Sequence, residues 1–245
     1  MEYQKINTLF LRDEKKVIIP SSFTCDEFEY LKDCKWECTE KIDGTNIRIY
    51  ISREYDGEDD WLYGVSFMGR TNNSTIPEHL NLKLQQIFYR VDWKTVFPSL
   101  MPGDSVCLYG EGYGKKIGKS GCRYLKDSVS FRAFDVKVTN RDGSSVYLNT
   151  PQRDVILDEI GIPKVISIGQ FTIDEAIDYV KKGFKDPLAE DDSYVAEGLV
   201  LKTPDGLLRK NGDRIIFKIK HCDFEKYLNK YGTLDKVEQI PNPNY

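Results

Sequence analysis

Histidine is almost absent from this chain, at His79 and His221 alone, and the six cysteines (Cys25, Cys34, Cys38, Cys107, Cys122 and Cys222) are scattered. Only Cys34 and Cys38 have the spacing of a metal half-site, and a structural zinc needs a second pair or histidines to complete its ligands. The thiols therefore read as small buried residues of a reducing compartment. Also missing is any apolar run near the roughly 18 residues that a membrane helix requires. The opening MEYQKINTLFLRDEKK has no uninterrupted apolar core of the signal-peptide kind. These absences predict a cytoplasmic protein with no membrane partner. Internal repeats, low-complexity tracts and Pro/Gly/Ser-rich linkers are lacking too, which predicts a single domain over 1–245.

What the chain does have is 40% hydrophobic and 30% charged residues over 245 positions, enough for a substantial core. Strand signals dominate. Ile47, Ile49 and Ile51 alternate in 46–52, and 61–70, 104–112, 128–139 and 144–149 read as further strands, the last two joined by the Asn140-Arg-Asp-Gly143 turn. Leu80, Leu84, Ile87, Phe88 and Val91 fall on one helical face of 80–93. Thr150-Pro151 predicts a capped helix ended by Gly161, Thr172-Ile-Asp-Glu175 has capping-box spacing before a helix ended by Gly183, and a last helix covers 222–231. Strands joined by tight turns and mixed with helices predict an α+β fold with antiparallel sheets flanked by helices. The aromatics of 88–97 read as core, and the acidic segment 54–60, EYDGEDD, as an exposed loop.

A net charge of −4 argues against nucleic-acid binding over the whole surface, but the charge is uneven. Lys115, Lys116, Lys119, Arg123 and Lys126 crowd twelve residues without an acid. Lys202, Arg209, Lys210, Arg214, Lys218 and Lys220 crowd nineteen residues with two acids. Either patch suits phosphates in a groove, and a solvated charged face is the plainer alternative.

The segment TEKIDGTN, 39–46, looks first like a hairpin turn, because Asp-Gly tolerates the positive φ such a turn requires. Three more pairs share the signal: Asp56-Gly57, Asp142-Gly143 and Asp205-Gly206. Lys41 distinguishes this one. On an extended segment Lys41 and Asp43 project to the same side, and an amine beside a carboxylate stays charged unless a cation takes up the carboxylate's charge. A reactive Lys41 thus calls for further carboxylates. Glu111, between Gly110 and Gly112, and Glu197, just before an apolar run, are candidates; the flanking glycines read as room for a ligand. In 214–220 Ile215, Phe217 and Ile219 face one way, Lys218 and Lys220 the other. Two such lysines suit an anion, or else defend an edge strand.

These residues carry a resemblance. Lys41-Ile-Asp-Gly44 resembles motif I of the covalent nucleotidyltransferases, the superfamily of ATP-dependent DNA ligases, RNA ligases and capping enzymes. Phe67-Met-Gly-Arg-Thr71, Leu108-Tyr-Gly-Glu-Gly112, Phe131-Arg-Ala-Phe-Asp-Val136, Glu197-Gly-Leu-Val-Leu-Lys202 and Ile216-Phe-Lys-Ile-Lys220 resemble motifs Ia, III, IIIa, IV and V, in family order. Glu40 before the lysine and Gly-Thr-Asn46 after Asp43 resemble the RNA ligase branch related to phage T4 RNA ligase 2 and the trypanosome editing ligases. The resemblance implies a nucleotidyltransferase (adenylation) domain of ATP-grasp-like ligase type. It implies that Lys41 takes AMP from ATP, passes it to a 5′-phosphate end of RNA, and that a 3′-hydroxyl then seals the strand.

It also implies roles: Asp43, Glu111 and Glu197 around a hydrated Mg²⁺ or Mn²⁺, Phe134 stacked on adenine, and Glu40, Asn46, Arg70 and Glu111 at the nucleotide. Lys218 and Lys220 would act on the phosphates. Lys202 carries no assigned role. Ligases of this superfamily usually carry another domain after motif V, whereas 25 residues follow Lys220 here; the expectation is no C-terminal OB domain, with end recognition left to the basic 115–126 segment or a separate partner. DNA joining, and a non-catalytic nucleotide- or RNA-binding module, are the alternatives.

Overall fold

A computed structural model describes residues 2–55, 61–118, 120–190 and 193–232. Most of the acidic 54–60 segment, the Asp56-Gly57 pair, Lys119 and the tail from 233 lie outside the described residues. In chain order the elements are β1 (Asn7–Thr8), β2 (Phe10–Arg12), β3 (Ile18–Phe23), α1 (Asp26–Tyr30), β4 (Trp36–Glu40), β5 (Thr45–Tyr55), β6 (Trp61–Met68), α2 (Glu78–Phe88), α3 (Trp93–Val96) and β7 (Ser105–Gly114). There follow α4 (Gly121–Tyr124), β8 (Val129–Thr139), β9 (Ser145–Tyr147), α5 (Thr150–Glu159), β10 (Ser167–Phe171), α6 (Ile173–Lys182), β11 (Gly198–Lys202), β12 (Ile216–Lys220) and α7 (His221–Tyr231). The described residues form two compact units, each assembled from separate stretches: 2–3, 43–165 and 188–190 in one, 4–42, 166–187 and 193–232 in the other. Among the described residues no helix is long and apolar enough to cross a membrane.

The first unit is built on an antiparallel sheet in the order β6-β5-β7-β8-β9. The alternation in β5 sorts its side chains as its period of two requires. Ile47, Ile49 and Ile51 are buried with Leu80, Leu84 and Phe88 of α2, while Asn46 and Arg48 fall on the opposite face, paired with Glu111 and Tyr109 of β7. Glu111 in turn faces Arg132 and Tyr109 faces Asp135. The pairing slips by one residue between these positions, since Gly110 faces Ala133 while Tyr109 faces Asp135. Phe134 is therefore the extra residue of a β-bulge.

The predicted helix over 80–93 is shorter, ending at Phe88. The Asp92 side chain starts a separate turn, α3, by accepting from the Thr95 N–H, which gives the local backbone a competing helix start. The aromatics of this stretch are core: the Trp93 ring stacks on Phe88 and on Phe97. The cap of α5 is Asn149, one residue before the predicted Thr150, in a reciprocal capping box with Gln152. The 140–143 turn forms as predicted, with Gly143 at φ +86°.

The second unit holds a sheet in the order β1-β12-β11-β4-β10, antiparallel except for the parallel β1–β12 pair, together with the β2–β3 pair. Trp36, Cys38, Leu199, Leu201, Phe217 and Ile219 line one face beneath Ile173, Ala176 and Val180 of α6 and Phe224 and Tyr227 of α7. The capping box predicted at Thr172 and Glu175 is present, and Gly183 ends α6 at φ +75°. β12 is paired on both sides, so Lys218 and Lys220 do not defend an edge. They sit on an interior strand, on the face away from Phe217 and Ile219.

Candidate active site

The expected site residues divide between the two units: Glu40, Lys41, Glu197, Lys218 and Lys220 in the second, Asp43, Asn46, Arg70, Glu111 and Phe134 in the first.

In the second unit, Lys41 immediately follows β4, and its N–H donates to the Gly198 carbonyl at 3.0 Å. Lys41 Nζ lies 2.7 Å from Glu197 Oε2, and Lys220 Nζ lies 2.5 Å from Glu197 Oε1. One carboxylate thus bridges two ammonium groups. The side chains are 20%, 12% and 27% exposed for Lys41, Glu197 and Lys220, so the charges are partly withdrawn from water. Burial works against the Lys220 ammonium, but the hydrogen bond and charge of Glu197 outweigh it and raise its pKa above the ordinary lysine value. Gly198 makes this geometry possible. Its φ is +150°, and a Cβ there would stand 1.9 Å from the Ile219 carbonyl oxygen, while His221 N–H reaches back to the Glu197 carbonyl at 2.9 Å. Lys218, half-buried, shares the outer face of β12 and pairs in register with Val200. Glu40 closes β4 with 2% of its surface exposed.

In the first unit, the chain from Asp43 enters β5 through Gly44, and here the hairpin reading fails. β4 and β5 belong to different sheets, and residues 41–44 are not strand, so neither a hairpin nor a period of two places Lys41 and Asp43. Gly44 is also outside the set of positive-φ glycines, which includes Gly143 and Gly206. What it provides is closeness: a Cβ at Gly44 would lie 2.3 Å from the Gly112 carbonyl oxygen and 2.9 Å from Cγ of Glu111. The Glu111 side chain therefore passes over Gly44, next to Asp43. Gly110 and Gly112 do not open space for a ligand. A Cβ at Gly110 would meet the Phe131 ring at 2.2 Å, and one at Gly112 would meet Leu80 at 2.5 Å, so both serve the core.

Four residues outside the expected nucleotide and metal set hold these positions. Tyr124, fully buried, accepts a hydrogen bond from the Asp43 N–H at 2.9 Å, and Arg123 Nη2 is 3.9 Å from Asp43 Oδ2. Arg48, 0% exposed, donates to the Gly69 carbonyl at 2.7 Å and to Asn72 Oδ1 at 3.1 Å. It thereby pins the bend that presents the exposed Arg70. Tyr3 packs against Phe134. A charge interrupting the apolar alternation of Ile47-Arg-Ile-Tyr-Ile51 was the visible signal for Arg48; Tyr3 gives none.

Asn46 Oδ1 is buried without a hydrogen-bond partner, a polar atom on the Glu111 face that an incoming donor would satisfy. Asp43 and Glu111 offer carboxylate oxygens with no imidazole or thiolate, a donor set suited to a hard cation. Among the described residues no group of three or more His, Cys, Asp or Glu is placed to hold a metal ion. Carboxylate oxygens are the ligand type of Mg²⁺, a hard cation that keeps several of its waters.

A protein-family model described as RNA ligase matches residues 35–220, about three quarters of the chain. The chain belongs to the RNA ligase family. Its fold is that of solved Naegleria gruberi RNA ligase structures. The one with PPi has a TM-score of 0.60 at 17% identity, covering 95% of this chain and 58% of that chain. A mutant with ATP and Mn gives a TM-score of 0.57 at 16% identity, covering 95% and 59%. Another mutant, with AMP and Mn, gives 0.58 at 17%, covering 95% and 58%. At these identities the likeness establishes the α+β nucleotidyltransferase-type fold. This RNA ligase family member spans somewhat under three fifths of the length of those structures. Comparison with curated protein sequences finds no significant match.

Proposed function

We propose that the protein is an ATP-dependent RNA ligase that works through a lysyl-AMP intermediate on Lys41. The observation that carries this reading is the bridged arrangement of Lys41, Glu197 and Lys220, with 2.7 and 2.5 Å contacts to the two oxygens of one carboxylate, in a chain of the RNA ligase family. The Naegleria gruberi relatives with ATP, AMP, PPi and Mn support ATP as the nucleotide and Mg²⁺ or Mn²⁺ as the metal.

In the first step Lys41 Nζ attacks the α-phosphorus of ATP, a P–N bond forms, and the bond to the bridging oxygen breaks to release pyrophosphate. An ammonium has no lone pair, so Lys41 gives up a proton to solvent before it attacks as the neutral amine. Asp43, Glu111 and Glu197 would hold a divalent cation, which would supply positive charge to offset these carboxylates and the phosphates. Lys220 and Lys218 then face the phosphate oxygens as negative charge moves onto the departing pyrophosphate. Phe134 offers a ring to the adenine, and Glu40, Asn46, Arg70 and Glu111 contact the nucleotide. In the second step a 5′-phosphate oxygen of RNA attacks the same phosphorus, restoring free Lys41. In the third step a 3′-hydroxyl attacks that 5′-phosphate, and AMP leaves. The basic 115–126 segment contacts the RNA end, with or without a separate partner that completes end recognition.

Incubation with labelled ATP and Mg²⁺ should give an acid-stable protein–AMP adduct that disappears in Lys41→Ala. Nucleotide binding without an adduct in the intact protein would instead mark a non-catalytic module. Sealing of nicked DNA but not of nicked RNA would replace RNA ligase by DNA ligase.

A further inference from the structure

We propose that Tyr3 is a positioning residue for nucleotide binding, acting through Phe134. The inference rests on the reading of Phe134 as the residue that stacks on adenine. Phe134 is the bulged residue of β8, and a bulge removes a side chain from the regular cross-strand pairing that otherwise orients it. Its ring direction is then decided by what packs on it. On the backbone side, Arg153 Nη1 donates to the Phe134 carbonyl at 2.8 Å. On the ring side stands Tyr3, with centroids 5.1 Å apart and planes at 64°, an edge-on contact.

Tyr3 is itself fixed from three directions. Its ring lies 4.9 Å from Tyr109 and 6.3 Å from Tyr147, and its hydroxyl donates to Oδ2 of Asp135, the residue next to Phe134 and 2% exposed. The neighbouring Glu2 accepts from the Asn72 N–H at 3.4 Å, in the same loop that Arg48 ties to β5. The dipeptide Glu2-Tyr3 thus joins the strand that presents Phe134 to the loop that presents Arg70. An edge-to-face contact restricts the Phe134 ring while using at most one of its two faces, so a face is left on which a base can stack and Tyr3 serves the base and not the phosphates.

The test is calorimetric binding of ATP and of inorganic tripolyphosphate to the full chain and to Tyr3→Phe, Tyr3→Leu, Phe134→Leu and the Tyr3→Leu/Phe134→Leu double variant. Tyr3→Leu should weaken ATP binding about three- to tenfold, the scale of one aromatic contact, with tripolyphosphate affinity unchanged. Tyr3→Phe keeps the ring and should stay within about twofold of the parent, because the lost hydroxyl faces Asp135 and not the base. In the Phe134→Leu background Tyr3→Leu should add almost nothing, as expected of two residues acting as one unit. An equal loss for tripolyphosphate, or a full further loss in the Phe134→Leu background, would show a general packing role and overturn the proposal. Unchanged ATP binding in Tyr3→Leu sinks the proposal alone, whereas no ATP binding by the intact chain removes the ligase reading and this inference together. If melting curves show Tyr3→Leu unfolded, Tyr3→Met carries the same comparison.

Discussion

A methyl group at Gly44 has no room, and one at Gly143 has nothing within 4 Å, although both glycines follow an aspartate in the same dipeptide. The contrast separates two reasons for a glycine. At Gly143 the backbone is left-handed, at φ +86°, and substitution by alanine should cost about 1 kcal/mol through conformation alone. At Gly44 a Cβ would press on the β7 backbone at 2.3 Å, so Gly44→Ala must displace the strand that carries Glu111. We expect Gly44→Ala to lose about 1–3 kcal/mol, the scale of overpacking, and to abolish or strongly reduce adduct formation, with Gly143→Ala retaining it. Thermal melting and the labelled-ATP assay read the two effects, and full activity in a folded Gly44→Ala would refute the close-approach argument. Sequence does not distinguish these glycines, because what fills the space at Gly44 comes from residue 112, far along the chain. Lys41, Asp43, Glu111, Glu197, Lys218 and Lys220 were named from their sequence patterns and Glu40, Asn46, Arg70 and Phe134 from the family resemblance; Tyr124 and Tyr3 were not legible, because their importance lies only in what they touch.

At the scale of elements, local chemistry was readable where the partners are local. α6 was legible from end to end: its cap and N3 residue are three apart, its apolar stripe is periodic, and Gly183 ends it. The helix predicted over 80–93 stops at Phe88, because Asp92 offers a second helix start that periodicity does not register. The edge-or-interior question for β12 depends on β1, some two hundred residues earlier. Thr172→Ala should destabilise by about 1 kcal/mol, the usual worth of an N-cap. Glu175, in the same capping box, is held below its ordinary pKa first by the hydrogen bond from Lys35 and then by the Thr172 N–H. A lowered folded-state pKa gives stability that is present above the ordinary carboxylate value and lost as pH falls through the folded one. The melting difference between the parent and Glu175→Gln should therefore be full at neutral pH and shrink once the pH drops below about 4.5. A difference that stayed constant down to pH 3 would show that the carboxylate's charge is not what the box uses.

For the whole molecule, the order of the motifs over 41–220 was legible and agrees with the family match over 35–220. What it did not reveal is that Lys41 and Asp43, two residues apart, belong to different compact units. Charge shows the same limit, since a sequence counts basic residues but not their partners. Of the cluster in 115–126, Lys115 is paired with Asp127 at 3.1 Å and Arg123 approaches Asp43, while Lys116 and Lys126 are exposed. Lys116 also holds a left-handed backbone at φ +59°, which directs it from a tight loop and not from a regular strand. In a chain of net charge −4, general attraction for RNA is weak, so a few placed lysines should decide end capture. Lys116→Ala and Lys126→Ala should leave the rate of lysyl-AMP formation within about twofold, because neither residue belongs to the nucleotide site. Each should slow AMP transfer to a 5′-phosphate RNA. Each should also reduce the dependence of log affinity on log salt by about 0.7–0.9 if it contacts one phosphate. A salt slope that stays unchanged while transfer slows would place these lysines in a conformational step; unchanged slope and unchanged transfer would move RNA-end recognition away from this segment altogether.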